Sequence, residues 1–362
     1  MTSGQASAKA DTPLRRLFTS QTRYEFIGRS RTWLVVALAL IAVAVAGVLV
    51  RGINFNIDFT GGVSYHASGV HSDLDDTELS ALLREEVAAL VEGDVTAQVG
   101  ADPDGTRVAL VTAPEVGEIG GPAQQAVGQR VAELVQPEEL DINAVGPRWG
   151  ERITDQMLRA LAVFLFLVVA YITVRFEWRM AVAALITLVH DILITVGVYA
   201  LVGFEVSPAS VIALLTILGY SLYDTVVVFD RVSEDARQLD SVSNQTYGEV
   251  ANNAINQVLV RSISTSLTSL LPVGSLLFLG GQLLGADTLT DLALALFIGM
   301  AVGTYSSIFI ATPLLVWFKE RDPRYAELKE KVLARRGGEA AAAVQSGKGG
   351  SQQRAQRRKR RR

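Results

Sequence analysis

The chain has 362 residues, 49% of them apolar and 19% charged, with no cysteine, three histidines and a formal net charge of −4. Soluble domains average about a quarter charged residues, and a mean hydropathy of +0.30 with long uncharged runs excludes an ordinary cytosolic enzyme, a disordered chain and a disulfide scaffold. Thiolate nucleophiles and thiolate metal sites are excluded with the cysteines, and His66, His71 and His190 are too few for a polyhistidine metal centre.

The charge is segregated along the chain. Residues 1–32 hold 6 Lys and Arg against 2 Asp and Glu, 52–155 hold 5 against 19, and 319–362 hold 15 against 5. Basic ends, an acidic interior segment and apolar runs between them are the pattern of a membrane protein whose acidic domain is translocated. Divided this way, the chain reads as a basic N-terminal segment (1–32), a first span (33–50), an outside domain with its linkers (51–156), a five-span block (157–318) and a basic tail (319–362).

The first span follows Lys9, Arg15, Arg16, Arg23, Arg29 and Arg31, which places the N-terminus in the cytoplasm. A cleaved signal peptide is the competing reading, but the apolar run is longer than a usual signal core, which favours an uncleaved anchor.

About 100 residues follow before the next span, enough for one small domain. Residues 62–67 read as a strand. Asp76-Thr77-Glu78 opens a helix on which Leu79, Leu82, Leu83, Val87, Leu90 and Val91 recur at helical spacing. Residues 95–99 and 107–112 alternate like half-buried strands around an Asp-Pro-Asp-Gly turn. A second helix after Gly121-Pro122 carries Val127, Val131, Leu134 and Val135, and 140–145 supplies the last strand. The order β-α-β-β-α-β predicts a ferredoxin-like α+β sandwich. Its acidic surface suits either a basic partner or plain solubility.

Five more stretches have the length and apolarity of a crossing: 157–174, 180–202, 209–229, 262–281 and 292–318. With six spans the C-terminus returns to the cytoplasm. The inner loops then hold Arg175, Arg179, Arg231, Arg237 and Arg261, whereas the outer loops 203–208 and 282–291 hold no Lys or Arg. After about Arg335 the tail is low-complexity and ends in a basic run, predicting disorder. It suits anionic membrane lipid, ribosomal RNA or simple topology anchoring, and no specific nucleic-acid site is expected.

Ionisable groups inside spans cost about 2.5–3.5 kcal/mol each at mid-helix on the insertion scale, so they mark function by default. His190-Asp191 lies near the middle of the third span, Asp224 near the inner end of the fourth and Arg261 at the inner edge of the fifth. At 1.5 Å per residue Asp224 is about 8 Å and Asp191 about 16 Å from the inner face, staggered as a proton route requires. Thr216, Tyr220, Tyr223 and Asp224 form one polar stripe, and Arg261, Thr265, Thr268 and Ser269 repeat its spacing. The expectation is that these stripes face each other across an access channel. The alternatives are a register-fixing Asp224–Arg261 ion pair, a snorkelling Arg261 and a mutually satisfied His190–Asp191 pair. Gly299, Gly303 and Ser307 are spaced for close helix packing. Two intramembrane aspartates also occur in membrane aspartyl proteases, but Asp191 lacks the preceding Gly-x-Gly, and no Gly-x-Ser-x-Gly supports a serine protease. Walker and Rossmann glycine patterns are absent, so neither catalysis nor a bound cofactor is expected; the proton would be the coupling ion.

Several separate stretches resemble one family. Asn56-Ile-Asp58-Phe-Thr-Gly61-Gly62 is similar to G-I-D-F-T-G-G, with Asn56 for the first glycine; Val145-Gly-Pro147, Phe176-Glu-Trp-Arg179 and His190-Asp191 follow. Leu215-Thr-Ile-Leu-Gly-Tyr-Ser-Leu-Tyr-Asp-Thr-Val-Val-Val-Phe-Asp230-Arg231 resembles L-T-x-x-G-Y-S-x-N-D-T-V-V-V-F-D-R, with Tyr223 for the asparagine. Arg261-Ser-Ile-Ser-Thr-Ser266 is similar to R-T-x-x-T-S. Over roughly 30–320 the chain resembles the SecF family of bacterial protein export, itself similar to the RND transporters. The resemblance implies a six-span half-transporter in the bacterial plasma membrane that assembles with a SecD subunit. It implies use of the proton-motive force to move and release unfolded secretory chains from the SecYEG channel, with SecA and YajC as further candidate partners. Asp224 and Arg261 match family positions linked to proton passage, alongside an aspartate that belongs to SecD. The Asn56–Gly62 link, with Asp58, Gly61 and Gly62, suits either a hinge for the outside domain or a plain tight turn. Other readings are half of another RND-like exporter and a non-transporting assembly scaffold.

Overall fold

The computed structural model describes residues 24–337 except 94, 102–104, 115–119, 240–243 and 281–286. The middle of the expected Asp-Pro-Asp-Gly turn, most of the basic N-terminus and the low-complexity tail therefore lie outside the described residues.

Among the described residues five helices are long and apolar enough to cross a membrane. They are α1 (Ser30–Arg51), α5 (Pro147–Arg175), α6 (Trp178–Val202), α7 (Pro208–Ala236) and the helix that closes the bundle. This last one runs as α9 (Asp287–Ser306), a π turn (Ser307–Ala311) and α10 (Thr312–Lys319). The segment around 262–281 is also helical, in α8 (Tyr247–Ser275) and a π turn (Leu276–Gly280), but Arg261 and a run of serines and threonines dilute its hydropathy. Side-chain caps start the polar ends: Ser207 and Ser210 form a capping box on α7, and Thr246 and Glu249 form one on α8.

Between α1 and α5 lies an α/β domain with β2 (Gly62–Ser68), α3 (Asp76–Ala88), β3 (Thr96–Ala101), β4 (Arg107–Ala113), α4 (Pro122–Val135) and β5 (Glu139–Val145). The strands form one antiparallel sheet in the order β3-β4-β2-β5. Its core gathers Tyr65, Leu79, Leu83, Val111, Val127 and Val131. Burial pushes the Tyr65 phenol up to about 12, and its hydroxyl donates to the Gln124 carbonyl at 3.0 Å. The expected run of α3 to Val91 is a correction: the helix stops at Ala88, which leaves Leu90 about half exposed.

The domain is tied to the bundle through the glycine-ended link. Asn54–Phe55 (β1) pairs in parallel with Glu205–Val206 (β6), the connection between α6 and α7. Ile57–Thr60 then forms a single helical turn, α2, in which Asn56 Oδ1 accepts from the Asp58 amide at 3.1 Å. Gly61 ends that turn at φ 72°, and a Cβ on Gly62, at φ 131°, would sit 2.5 Å from the Ala113 carbonyl oxygen. Asp58 is half-buried, and desolvation raises its carboxyl above the usual range.

The opposite end of the bundle, which carries both ends of the described chain, is a polar clasp. Asn252 and Asn256 of α8 hold the Tyr24–Ile27 backbone, and Arg336, at the end of helix α11 (323–337), grips Glu249. Lys319, 3% exposed, pairs with Glu177 beside the Tyr247 and Tyr325 rings.

Candidate functional site

The bundle interior holds two buried carboxylates. Asp191 is 1% exposed and Asp224 7%, a placement tolerable only because each is hydrogen-bonded on several sides.

Asp191 Oδ2 accepts from Ser221 Oγ of α7 at 2.6 Å and from Ser306 Oγ at 3.0 Å. Its Oδ1 lies 3.1 Å from His190 Nδ1, and His190 Nε2 lies 2.8 Å from the Tyr305 hydroxyl. A neutral ring protonated on Nδ1 satisfies both contacts, donating to the carboxylate and accepting from the tyrosine. The His190–Asp191 pair is thus the head of a longer chain and not a closed couple.

Asp224 Oδ2 accepts from Ser262 Oγ of α8 and from Ser307 Oγ, each at 2.6 Å. Because Ser221 and Asp224 are one turn apart on α7, the same helix face serves both carboxylates.

Arg261 does not make the alternative ion pair. Its guanidinium is exposed and donates to the Tyr223 hydroxyl at 3.3 Å, and among the described residues no ion pair joins it to Asp224. The two predicted stripes meet at this Tyr223–Arg261 contact, outside the buried interior of this chain. Thr216, Tyr223, Arg261 and Thr268 lie on the exposed face of the isolated chain, while the buried face of α7 runs through Ala213, Ile217, Ser221, Asp224 and Val228. Asp224 is one residue, about 100° of helix rotation, on from Tyr223, which is enough to turn it inward while its neighbour turns out.

The small residues of the last span set the approach of α9 to α7. A Cβ on Gly299 would meet Ile217 at 2.3 Å, and one on Gly303 would meet the Ser221 Cβ at 2.9 Å. Ser307 donates to Asp224 as well as packing. Asp230 pairs with Arg175 at 3.3 Å, and Arg231 with Glu234 and Asp235 of its own helix, so neither joins the buried site. Asp58, Gly61 and Gly62 belong to the domain link, remote from it in the fold. Ser221, Ser262 and Ser306 were not singled out as site residues by the sequence reading; the available signal was a hydroxyl one turn before an intramembrane aspartate, and a Ser-Ser pair inside an apolar span.

Residues 126–321 match the family described as protein export membrane protein SecD/SecF, C-terminal. The chain belongs to the SecD/SecF family. Among members of known sequence, the protein translocase subunit SecF of Streptomyces coelicolor is 42% identical over 329 residues, covering 89% of this chain and 83% of that one. SecF of Mycobacterium tuberculosis H37Rv is 42% identical over 331 residues, 89% of this chain and 73% of that one. The crystal structure of SecDF from Thermus thermophilus, described as a translocon-associated membrane protein, aligns at TM-score 0.71 and 35% identity over 83% of this chain. This chain spans 39% of the length of that SecDF, and the likeness to SecD/SecF members agrees with a location in a membrane.

Proposed function

We propose that this chain is a SecF-type half of a proton-driven export complex. It pairs in the membrane with a SecD-type subunit and uses the proton-motive force to promote movement and release of secreted polypeptides delivered by the SecYEG channel and SecA, with YajC as an accessory. The observation that carries the reading is Asp224: a buried carboxylate, held among the described residues only by hydroxyls, can gain or lose a proton without leaving a buried cation unpaired.

In this reading α8 and its π turn make a sixth crossing, because the serines and threonines that lower its hydropathy face either the buried carboxylate or the exposed polar face beside Arg261. Both termini then lie in the cytoplasm, as the positive-inside bias requires, and the α/β domain, whose strand order is that of a ferredoxin-like sandwich, stands outside the plasma membrane. The exposed polar face of α7 and α8 is the surface that the SecD-type subunit covers, bringing its own ionisable group toward Arg261.

Protonation of Asp224 removes its charge and weakens its hold on Ser262 and Ser307, freeing α8 and the last span to repack against α7. The membrane potential supplies about 2.3 kcal/mol per charge per 100 mV, enough to bias a two-state element and sized for a ratchet on a sliding chain. The β1–β6 pairing and the α2 turn carry the shift to the outside domain.

The test compares release of a secreted precursor in cells whose only copy is wild type or Asp224→Asn at equal level, with and without an uncoupler. Slower release in the variant, with little further loss on uncoupling, is expected. Release at the wild-type rate would remove proton coupling and leave an assembly scaffold.

A further inference from the structure

Ser306 and Ser307 are consecutive, yet their hydroxyls serve different helices. Ser306 donates to Asp191 on α6, and Ser307 to Asp224 on α7. Neighbours on a helix point about 100° apart, so the last span is a wedge with one carboxylate on each flank. Both serines are fully buried, and each has a second acceptor in its own helix, the Gly303 carbonyl at 3.2 Å for Ser306 and the Thr304 carbonyl at 3.2 Å for Ser307.

A hydroxyl has one proton and two lone pairs. Facing an ionised carboxylate it donates; facing a protonated carboxyl it accepts, and its own proton turns to the helix carbonyl. The charge state of each aspartate therefore alters the hydrogen bonding of the last span at one place. That place is where the helix leaves α geometry: the π turn Ser307–Ala311 begins there, and Thr312 Oγ1 donates to the Ser307 carbonyl at 3.3 Å. A π turn differs from an α turn by one residue of register, so the segment has an alternative bonding pattern within reach.

We propose that Ser306, Ser307 and the π turn they open are positioning elements that couple Asp191 to Asp224, so that proton uptake at one carboxylate changes the readiness of the other to take a proton. The inference rests on the proton-coupled reading above and adds to it a second carboxylate and the connection between the two. Among the described residues few other titratable groups face the pair. His190 and Tyr305 lie against Asp191; Tyr223 and Arg261 flank Asp224 but meet each other on the exposed side. The α1 segment from Trp33 to Val50 has no titratable residue, and α5 brings Tyr171, which is exposed, and Arg175, which pairs with Asp230.

The experiment is an infrared titration of the carboxyl groups in the full chain with its membrane partner, in phosphatidylethanolamine–phosphatidylglycerol vesicles, with bands assigned by Asp191→Asn and Asp224→Asn. Asp224→Asn is expected to move the Asp191 midpoint by about one pH unit or more, the size of interaction that makes two sites titrate as a pair. In a Ser306→Ala, Ser307→Ala background that displacement should fall to less than half, and Ser306→Thr, Ser307→Thr should restore it. Should the alanine pair fail to assemble, cysteine at both positions keeps the volume with only a weak donor and is read the same way. An undiminished displacement without the serine hydroxyls would mean through-space repulsion or a path along α7, and would overturn the proposal. The titration does not depend on export: an Asp191 midpoint that Asp224→Asn leaves in place, or that moves as far without the serine hydroxyls, with Asp224→Asn still slowing release, rejects this inference alone, whereas wild-type release by Asp224→Asn rejects the functional reading.

Discussion

Arg261 gives its guanidinium to the Tyr223 hydroxyl, 3.3 Å away on the exposed face, and leaves Asp224, the residue next to that tyrosine, to the hydroxyls of Ser262 and Ser307. The cation and the carboxylate most readily paired from the sequence thus occupy different faces of the same two-helix contact.

Independence of these two groups has a thermodynamic signature. Residues in direct contact couple by about 0.5–3 kcal/mol, whereas separated sites with no shared partner add within about 0.3–0.5 kcal/mol. With separate side-chain partners, Arg261→Ala and Asp224→Asn should lie near the additive end in equilibrium unfolding of the detergent-solubilised chain. A coupling well beyond that range would reveal an ion pair.

Helix approach at the site depends on missing side chains. Gly303→Ala forces a Cβ to within 2.9 Å of the Ser221 Cβ, and overpacking of this kind costs about 1–3 kcal/mol. Its unfolding temperature should drop, and the Asp191 carboxyl band should shift as Ser221 is displaced. Gly219→Ala, on α7 with nothing within 4 Å of its added Cβ, is the control: it should leave the band unchanged and hold or raise the unfolding temperature, since alanine is the better helix former.

The domain link carries a cap that the similar family motif lacks. Asn56 accepts from the Asp58 amide; replacing such a cap by alanine costs about 1 kcal/mol and by glycine only a few tenths. Protease cleavage within 51–62 of the full chain should accelerate several-fold for Asn56→Ala and barely for Asn56→Gly. Equal acceleration would mean that the asparagine side chain, and not the extended cap backbone, sets the geometry.

The clasp at the terminal end is sensitive to acid. The Arg336 guanidinium, with the Thr246 amide, holds the Glu249 carboxyl below its ordinary 4.5. A depressed carboxylate contributes stability that is present above the ordinary value and lost as pH falls through the lowered one. Protection of 323–337, measured as hydrogen exchange relative to the intrinsic rate at each pH, should accordingly be high at neutral pH and fall below about pH 4.5. Glu249→Gln should show low protection at both, and pH-independent protection in the wild type would reject the clasp.

Much of the architecture is legible in local properties of the chain. Hydropathy locates the apolar helices, because crossing length and composition are features of a single segment. Residue period and turn chemistry give the β-α-β-β-α-β order between α1 and α5, because the alternation of one strand or the stripe of one helix is readable without its neighbours. The segment 247–280 is the instructive exception: its serines and threonines look like lost hydropathy until the fold shows Ser262 and Ser266 buried and Ser264 and Thr268 exposed.

Partnership inside the bundle was not legible. Spacing identified Asp191, Asp224 and Arg261 as costly residues with a purpose, but which group meets which depends on the rotation of each helix about its axis. That rotation is set by contacts distant in sequence: Gly299 and Gly303 against Ile217 and Ser221, and a π turn that directs Ser306 to one aspartate and Ser307 to the other. A rotation of about 100°, a single residue's worth, separates an arginine facing the carboxylate from one facing outward, and no local pattern in the chain encodes it.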